Sequence, residues 1–344
     1  MRIIVGFAAG GGYDIIARLI GQWLSERLGQ PFVIENRPGA ATNIATQVVV
    51  NAAPDGYTLL LIGPTNTINT TLYRNLHFDF IRDIAPVSSI TRQPQVMLTN
   101  RSFPAKTIPE LIDYAKANPD KVNTSSPGVG SISHLALELF KMMAGVKLVH
   151  VPFGGNAPAL TALLGGQVEV SVASLPSSIE SIRTGKLHGL AVTTAMRAEA
   201  LPDVPAVGEF VSGYEVSAWY GMGAPTGTPP EAIDKINKEI NAGLADTKLK
   251  ARIADFGGTP FALSPAKFGK FIAEECYGAA SSERLQPLIE PFAPDRVDCA
   301  AYTLAIGPEV YVSPNETADP TTVSVRRLDS GEAFTIRPVN SRFF

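Results

Sequence analysis

The chain has 344 residues, 45% of them hydrophobic, enough for two domains with buried cores. A charged fraction of 18% and a net charge of −3 exclude a nucleic-acid-binding surface with its stripes of Lys and Arg. No stretch approaches the roughly 18 uncharged apolar residues of a membrane span. Met1-Arg2 runs directly into Ile3-Ile4-Val5 without the apolar segment or cleavage pattern of a signal peptide, so the protein is expected either to be cytosolic or to begin further upstream.

The apolar period sets out the elements in chain order. Ile3-Ile4-Val5 reads as a strand, and a glycine-rich loop from Gly6 to Asp14 leads from it into a helix. In that helix Ile16, Leu19, Ile20, Trp23, Leu24 and Leu28 recur at three- and four-residue spacing until Gly29 stops it. Phe32 to Glu35 reads as a strand, Asn36-Arg37-Pro38-Gly39 as a turn and Thr42 to Ala52 as a helix; Pro54-Asp55-Gly56 then turns the chain into the strand Tyr57 to Ile62. This alternation is the rhythm of a parallel sheet.

A second unit follows Val96-Met97-Leu98, with a helix from Ile108 to Ala117 ended by Asn118-Pro119-Asp120. Another glycine loop, Asn123 to His134, opens a helix from Leu135 to Met143, and Leu148 to Val151 is a strand. A third loop, Pro152 to Asn156, opens a helix to Leu164; Val168 to Val172, a helix near Ser178 to Thr184 and Leu187 to Thr193 complete the sheet. Ser217 to Pro225 reads as the return crossing to the first unit, ahead of helices Pro230 to Leu244 and Thr247 to Phe256. Past about Glu283 the texture is all-β, with Tyr302 to Gly307, Val310 to Val312, Val323 to Val325 and Ala333 to Ile336 separated by turn residues.

Glycine admits close backbone approach, and the open N–H groups at a helix start favour an anion, so two facing glycine loops would form an anion clamp. The plainer reading of each is a tight turn, with Asp14 as the N-cap of the first helix. The second loop lacks the Lys of a phosphate-binding loop and the third glycine of a dinucleotide fingerprint. His77, His134, His150 and His188 lack zinc spacing, no GxSxG elbow occurs, and His134 and His150 read as packing residues. Arg18, Arg37 and Arg92 lie outside both loops, so backbone N–H groups rather than a salt bridge would hold an anion. Trp219-Tyr220 reads as core, and Cys276 and Cys299 as two thiols rather than a disulfide.

Several segments then carry a family resemblance: Val5 to Asp14, Glu35 to Ala40, Ala53-Pro54-Asp55-Gly56-Tyr57-Thr58-Leu59, His150 to Leu160, Leu164 to Val168 and Leu201-Pro202-Asp203-Val204-Pro205. Over residues 1 to 275 the chain resembles the Bug family, the periplasmic substrate-binding receptors of tripartite tricarboxylate transporters. The resemblance implies an α/β fold of the periplasmic-binding-protein type II (Venus flytrap) kind, two α/β domains on a two-crossing hinge. Residues 1–96 plus 215–275 would form one domain, 97–214 the other, and 276–344 a short β-rich C-terminal extension. It implies a non-enzymatic, monomeric receptor without cofactor or metal that captures a small carboxylate and presents it to transporter membrane components.

The ligand-binding residues implied are Phe7, Ala9, Gly10, Gly11, Gly12, Tyr13, Asp14, Thr65 and Asn66 in a turn from Gly63 to Asn66, Ser126, Gly128, Gly130, Ser131, His134, Phe153, Gly154, Asn156 and Ala157. Tyr13 departs from the family pattern, which has a Ser or Thr in this loop. The tail, through Leu288 to Phe292, Ala301 to Glu309 and Leu328 to Pro338, resembles the opening third of dCTP deaminase, joined near residues 276 to 286 and ending before that enzyme's catalytic motifs. The rival readings are a deaminase-related or hydrolytic enzyme and a non-functional fusion.

Overall fold

A computed structural model of the chain describes residues 1–73, 75–277, 309–312, 323–327 and 333–336. Strand β1 (Arg2–Val5) leads to α1 (Gly12–Leu28), β2 (Val33–Asn36), α2 (Asn43–Val50) and β3 (Thr58–Ile62). Next come α3 (Pro64–Leu72), the short α4 (Phe80–Asp83) and the long strand β4 (Ile84–Asn100). The second unit is α5 (Ile108–Ala117), β5 (Asn123–Ser126), α6 (Ile132–Ala144), β6 (Val149–Pro152), α7 (Asn156–Leu164), β7 (Val170–Ser174), α8 (Leu175–Arg183) and β8 (Leu187–Val192). The chain returns through β9 (Ser217–Pro225) to α9 (Pro230–Ala245), α10 (Thr247–Asp255), β10 (Thr259–Pro260) and α11 (Pro265–Tyr277).

Among the described residues these ten strands join in one curled sheet, ordered β2-β1-β3-β9-β4-β7-β5-β6, with β8 and β10 also paired to β4. The expected parallel rhythm holds within each unit: β1 runs parallel to β2 and β3, and β5 to β6 and β7. The crossing strands are antiparallel to their neighbours. Strand β4 pairs with β9 from Ile84 to Pro94 and with β7 from Gln95 to Thr99, so one strand passes from one half of the sheet to the other at Pro94-Gln95.

Each half has helices on both faces. Ile3 and Val5 pack with Leu59, Leu61, Ile16, Ile20 and Ile240, whereas Ile4 packs with Leu60, Ile62, Val49, Trp219 and Phe268 on the opposite face. The second half repeats this, Val170 and Val172 packing with Leu111 and Leu137, and Val96, Leu98 and Ala173 with Leu163 and Ile179. Alternate residues of a strand face opposite ways, which is why these strands read as continuous apolar runs.

Most expected elements stand within a few residues of their observed bounds, and α5 and β9 match them. Three readings need correction. Gly63 to Asn66, read as a turn, opens helix α3, because Asn66 Oδ1 accepts from the Gly63 N–H and Pro64 suits a first helical position. Helix α8 begins at Leu175 directly after its strand, earlier than Ser178. The N-cap of α1 is Gly11, with Asp14 inside the first turn. In the tail, β11 (Glu309–Val312), β12 (Val323–Arg327) and β13 (Ala333–Ile336) form an antiparallel sheet. The expected strand Tyr302 to Gly307, the join at 276 to 286 and Cys299 fall wholly or largely outside the described residues.

Ahead of α2, Ala40, Ala41 and Thr42 all adopt positive φ, at 44°, 46° and 78°. Asn69 Nδ2 donates to the Ala41 carbonyl and to Asn43 Oδ1, while Asn66 Nδ2 donates to Thr42 Oγ1 and Thr46 Oγ1, so α3 holds this run in place. Left-handed backbone costs an L-residue roughly 1–2 kcal/mol, and glycine gives back about 0.5–1 in chain entropy. Ala41→Gly is therefore expected to raise the unfolding free energy by about 0.5–1 kcal/mol in urea titrations; an unchanged or lower value would show that the run is not strained.

Candidate functional site

The two halves of the sheet meet around a cavity holding about 250 Å³ of space free of atoms, part of it open to solvent. Its walls are Phe7, Tyr13, Thr65, Gln95, Pro127, Ser131, Ile132, Ser133, Asn156, Ser174 and Tyr220. Tyr13 lies in the first turn of α1, Thr65 in that of α3, Ile132 and Ser133 in that of α6 and Asn156 in that of α7, while Ser174 caps α8. Thus the positive ends of five helices converge on one small space. Among the described residues no Lys or Arg lines it.

The backbone N–H groups at these helix starts differ in how far they are occupied. Ser131 Oγ accepts from the His134 N–H at the head of α6. Gly11, Gly155 and Ser174, the caps of α1, α7 and α8, supply no side-chain cap. Asn156 is tied down by a mutual pair, its Nδ2 donating to Ser174 Oγ at 3.1 Å and its Oδ1 accepting from the Ser174 N–H at 3.2 Å.

Glycines let the halves touch around the cavity. A Cβ on Gly12 would lie 2.6 Å from Tyr220 Oη and 2.8 Å from Ser174 Oγ, one on Gly155 3.1 Å from Ala8 Cβ, and one on Gly130 2.4 Å from Leu72 Cδ2. The first glycine loop therefore faces the third, at Gly155 to Ala157, and the second closes on α3. Phe7 and Tyr13 of the first loop and Pro127 and Ser131 of the second line the same cavity.

Asp14 is fully engaged within its own half. Its Oδ2 accepts from the Gly10 N–H at 2.9 Å and Arg18 Nε at 3.0 Å, and its Oδ1 from Asn36 Nδ2 at 3.0 Å. Burial alone would raise its carboxyl, but hydrogen bonds from Arg18, Gly10 and Asn36 outweigh burial and hold it below the usual range. Burial drives the Tyr13 hydroxyl far above the ordinary tyrosine range, so it remains a proton donor. The Thr65 hydroxyl and N–H lie beside it and offset part of that effect, without completing a hydrogen bond of normal geometry.

Residues 16–290 match the family described as "Tripartite tricarboxylate transporter family receptor". The chain belongs to this family. It is 34% identical over 280 residues to the protein BugT of Bordetella pertussis, covering 80% of this chain and 85% of that one. Among solved structures it is similar to Rpa4515 of R. palustris with adipate, with a TM-score of 0.78, 36% identity and coverage of 79% of this chain and 92% of that one. It is likewise similar to MatC (Rpa3494) from Rhodopseudomonas palustris with bound malate, with a TM-score of 0.75, 31% identity and coverage of 80% and 95%. The sequence resemblance covers residues 1 to 275, and the family match extends to residue 290, into the stretch assigned to the tail.

Members of this family are substrate-binding receptors, so the serine-rich second loop is no hydrolase site. In this receptor the cavity gathers Phe7, Tyr13, Thr65, Ser131 and Asn156 of the residues named from the sequence. Ala9, Gly10, Gly11, Gly12 and Ala157 are not among its lining residues; Gly10 approaches Ala157, Gly11 Asn156, and Gly12 Ser174 and Tyr220. Asp14 and Asn66 bond within their own half, Phe153 packs beside Leu160 and Leu163, and Gly154 has open space about it. Gln95, Ser174 and Tyr220 were outside the sequence reading of the site. Ser174 carried a signal, as the last residue of a buried strand entering a helix; Tyr220 sits in a run that read as core, and Gln95 just ahead of Val96-Met97-Leu98.

Ser126, Gly128, Gly130 and His134 shape the receptor's second loop from beneath. His134 and His150 stack with ring centroids 4.0 Å apart, His134 Nδ1 accepts from the Gly130 N–H at 3.2 Å, and His150 Nε2 lies 2.6 Å from Ser126 Oγ. Burial, then the neighbouring His134 and Lys141, pushes His150 down to about 3, and burial also lowers His134. An unfolded histidine titrates near 6.5, so between about pH 6.5 and 3 the unfolded chain binds more protons and stability falls with acid. From pH 7 to 4 the unfolding free energy should fall less steeply in His150→Gln than in the wild type. Parallel curves would show that this pair is not held neutral.

Proposed function

We propose that this receptor captures a small carboxylate by closing two lobes over it, residues 1–96 with 215–275 forming one lobe and 97–214 the other. The supporting observation is the convergence of five helix starts on a cavity without a Lys or Arg among its described walls. Each helix carries about half a positive charge at its start, and its open N–H groups hydrogen-bond an anion directly. Cores that lie mostly within one half each, with Ile68 of α3 reaching into that of the second half, and the crossing strands β4 and β9 suit hinge motion. A ligand touching both halves binds the closed form better, and that difference drives closure.

In this reading Phe7, Tyr13, Thr65, Ser131 and Asn156 contact the ligand, and the glycine loops around Gly10, Gly128, Gly130 and Gly154 permit closure. Adipate and malate, bound by the two solved relatives, mark the range of acids to test. Periplasmic residence, a monomeric state and delivery to membrane components of a tripartite transporter complete the proposal. Among the described residues no helix is long and apolar enough to cross a membrane. The likeness of the tail to dCTP deaminase is a separate proposal about its origin, and it implies no release of ammonia from dCTP.

The test is a thermal-shift screen of C4 to C6 dicarboxylates, acidic amino acids and aromatic acids, with chloride at equal ionic strength as the control. At least one acid should raise the melting temperature, since a ligand at a hundred times its Kd adds about 2.7 kcal/mol. A folded protein unresponsive to the whole panel would sink the reading. Gly130→Val should remove the response, because Gly130 has φ +77°, a backbone that a β-branched residue adopts only under strain, so the second loop is displaced from its closed position. A full response in that variant would remove the second loop from closure.

A further inference from the structure

Helix α3 belongs by sequence to the first half, and its polar residues hold it there. Asn66 Nδ2 donates to Thr42 Oγ1 and Thr46 Oγ1, and Asn69 Nδ2 to Asn43 Oδ1 and the Ala41 carbonyl. Its chief neighbours are the run 40–42, α2, α4, α11 and β9, all segments assigned to that half. Ile68 and Leu72, one turn apart on another face, reach the other way. Ile68, 1% exposed, is part of the core that Ile132, Ala136, Leu137 and Phe140 build in the second half, and Leu72 packs against the same core. Leu72 Cδ2 also occupies the space over Gly130, 2.4 Å from where a Cβ would stand.

One helix thus has two attachments of unequal kind. The buried hydrogen bonds of Asn66 and Asn69 are directional, and breaking them would strand polar groups away from water. The apolar contact of Ile68 and Leu72 has no preferred direction and is made or lost with the area it covers. When the crossing strands flex, α3 stays with the half to which it is bonded, and its apolar face leaves the other. Neither Ile68 nor Leu72 lines the cavity. Yet Thr65 of the same helix does, and Gly130, beneath Leu72, immediately precedes Ser131 of the wall. Seating Leu72 over Gly130 therefore brings the second loop to the cavity.

We infer that α3 is an apolar latch: Ile68 and Leu72 enter the core of the second lobe only when the lobes close, so two side chains that the ligand never touches set part of its affinity. This rests on the receptor reading above and its hinge closure. Apparent affinity falls in proportion to the population of the binding-competent form. Weakening the latch therefore lowers affinity for every ligand alike, whatever its length or polar groups. The latch also gives binding a thermal signature. A short dicarboxylate buries little apolar surface of its own, whereas seating two aliphatic side chains lowers the heat capacity.

Calorimetric titration of the full chain at several temperatures tests this, with adipate, malate and the acid of the thermal-shift panel that raises the melting temperature most. The wild-type binding enthalpy should grow more negative as temperature rises. Ile68→Ala should raise every Kd about tenfold and Leu72→Ala about threefold, through the loss of buried methyl groups. The temperature slope of the enthalpy should be smaller in both. Leu72 is only partly buried, so Leu72→Ala carries the test if Ile68→Ala does not fold. A merely structural role would lower the melting temperature of the ligand-free protein and leave Kd and slope as in the wild type. That result in either folded variant overturns the latch and leaves the receptor standing. So does a wild-type enthalpy that does not change with temperature. Binding of no acid of the panel by the folded wild type overturns the receptor reading, and the latch with it.

Discussion

Everything about the site depends on one strand serving both halves of the sheet. Strand β4 is bonded to β9 through Pro94 and to β7 from Gln95 onward. At that junction the parallel strands of each half point their carboxyl ends toward the other half, and the helices that follow them begin there. Open α/β sheets place ligands at such switch points because the loops after neighbouring strands diverge and leave a crevice. Here two crevices face each other, which is how five helix starts reach one small cavity. Gln95 occupies the first position after the handover, bonded through its backbone to Thr193 and through its side chain to Ser133.

Close approach of the halves is a steric matter before it is an electrostatic one. Gly12, Gly130 and Gly155 stand where a side chain would strike Ser174, Leu72 or Ala8. Beneath these contacts, neutral groups fix the loops: Asn156 with Ser174 behind the first glycine loop, and His134 with His150 under the second. A charged residue in any of these places would need its own counterion inside the cleft. The uncharged scaffold leaves the helix ends as the nearest source of potential.

The sequence made the alternating α/β layers legible because buried parallel strands show as apolar runs and their helices show a 3.6-residue period. It did not reveal α3, whose Thr- and Asn-rich stretch from Pro64 to Leu72 has too few apolar residues to carry a period. That helix owes its place to Asn66 and Asn69, which pin the left-handed run at Ala41 and Thr42. The glycine loops marked the neighbourhood of the site through their spacing, yet none of their glycines is among the residues lining the cavity. Spacing alone does not tell a residue that touches a ligand from one that lets two backbones meet. Tyr220 was hidden for a different reason: on the crossing strand β9, cavity-facing and core-facing positions share one apolar run, while Gln95 stands just ahead of the apolar Val96-Met97-Leu98 and outside any loop motif.

Asp14 shows how an anion site tolerates a buried carboxylate at its edge. An isolated negative charge beside α1 would repel a second one, and in a medium of low polarity that repulsion would reach across the cavity. Arg18 lies against both carboxylate oxygens, Asn36 donates to one and the Gly10 N–H to the other. The ion pair is close to neutral at a distance. The Gly10 bond also fixes the glycine loop against its own helix. On the proposed reading, Asp14 serves the anion site through the loop it shapes, and a carboxylate ligand meets the dipoles of the helix starts with little opposing charge.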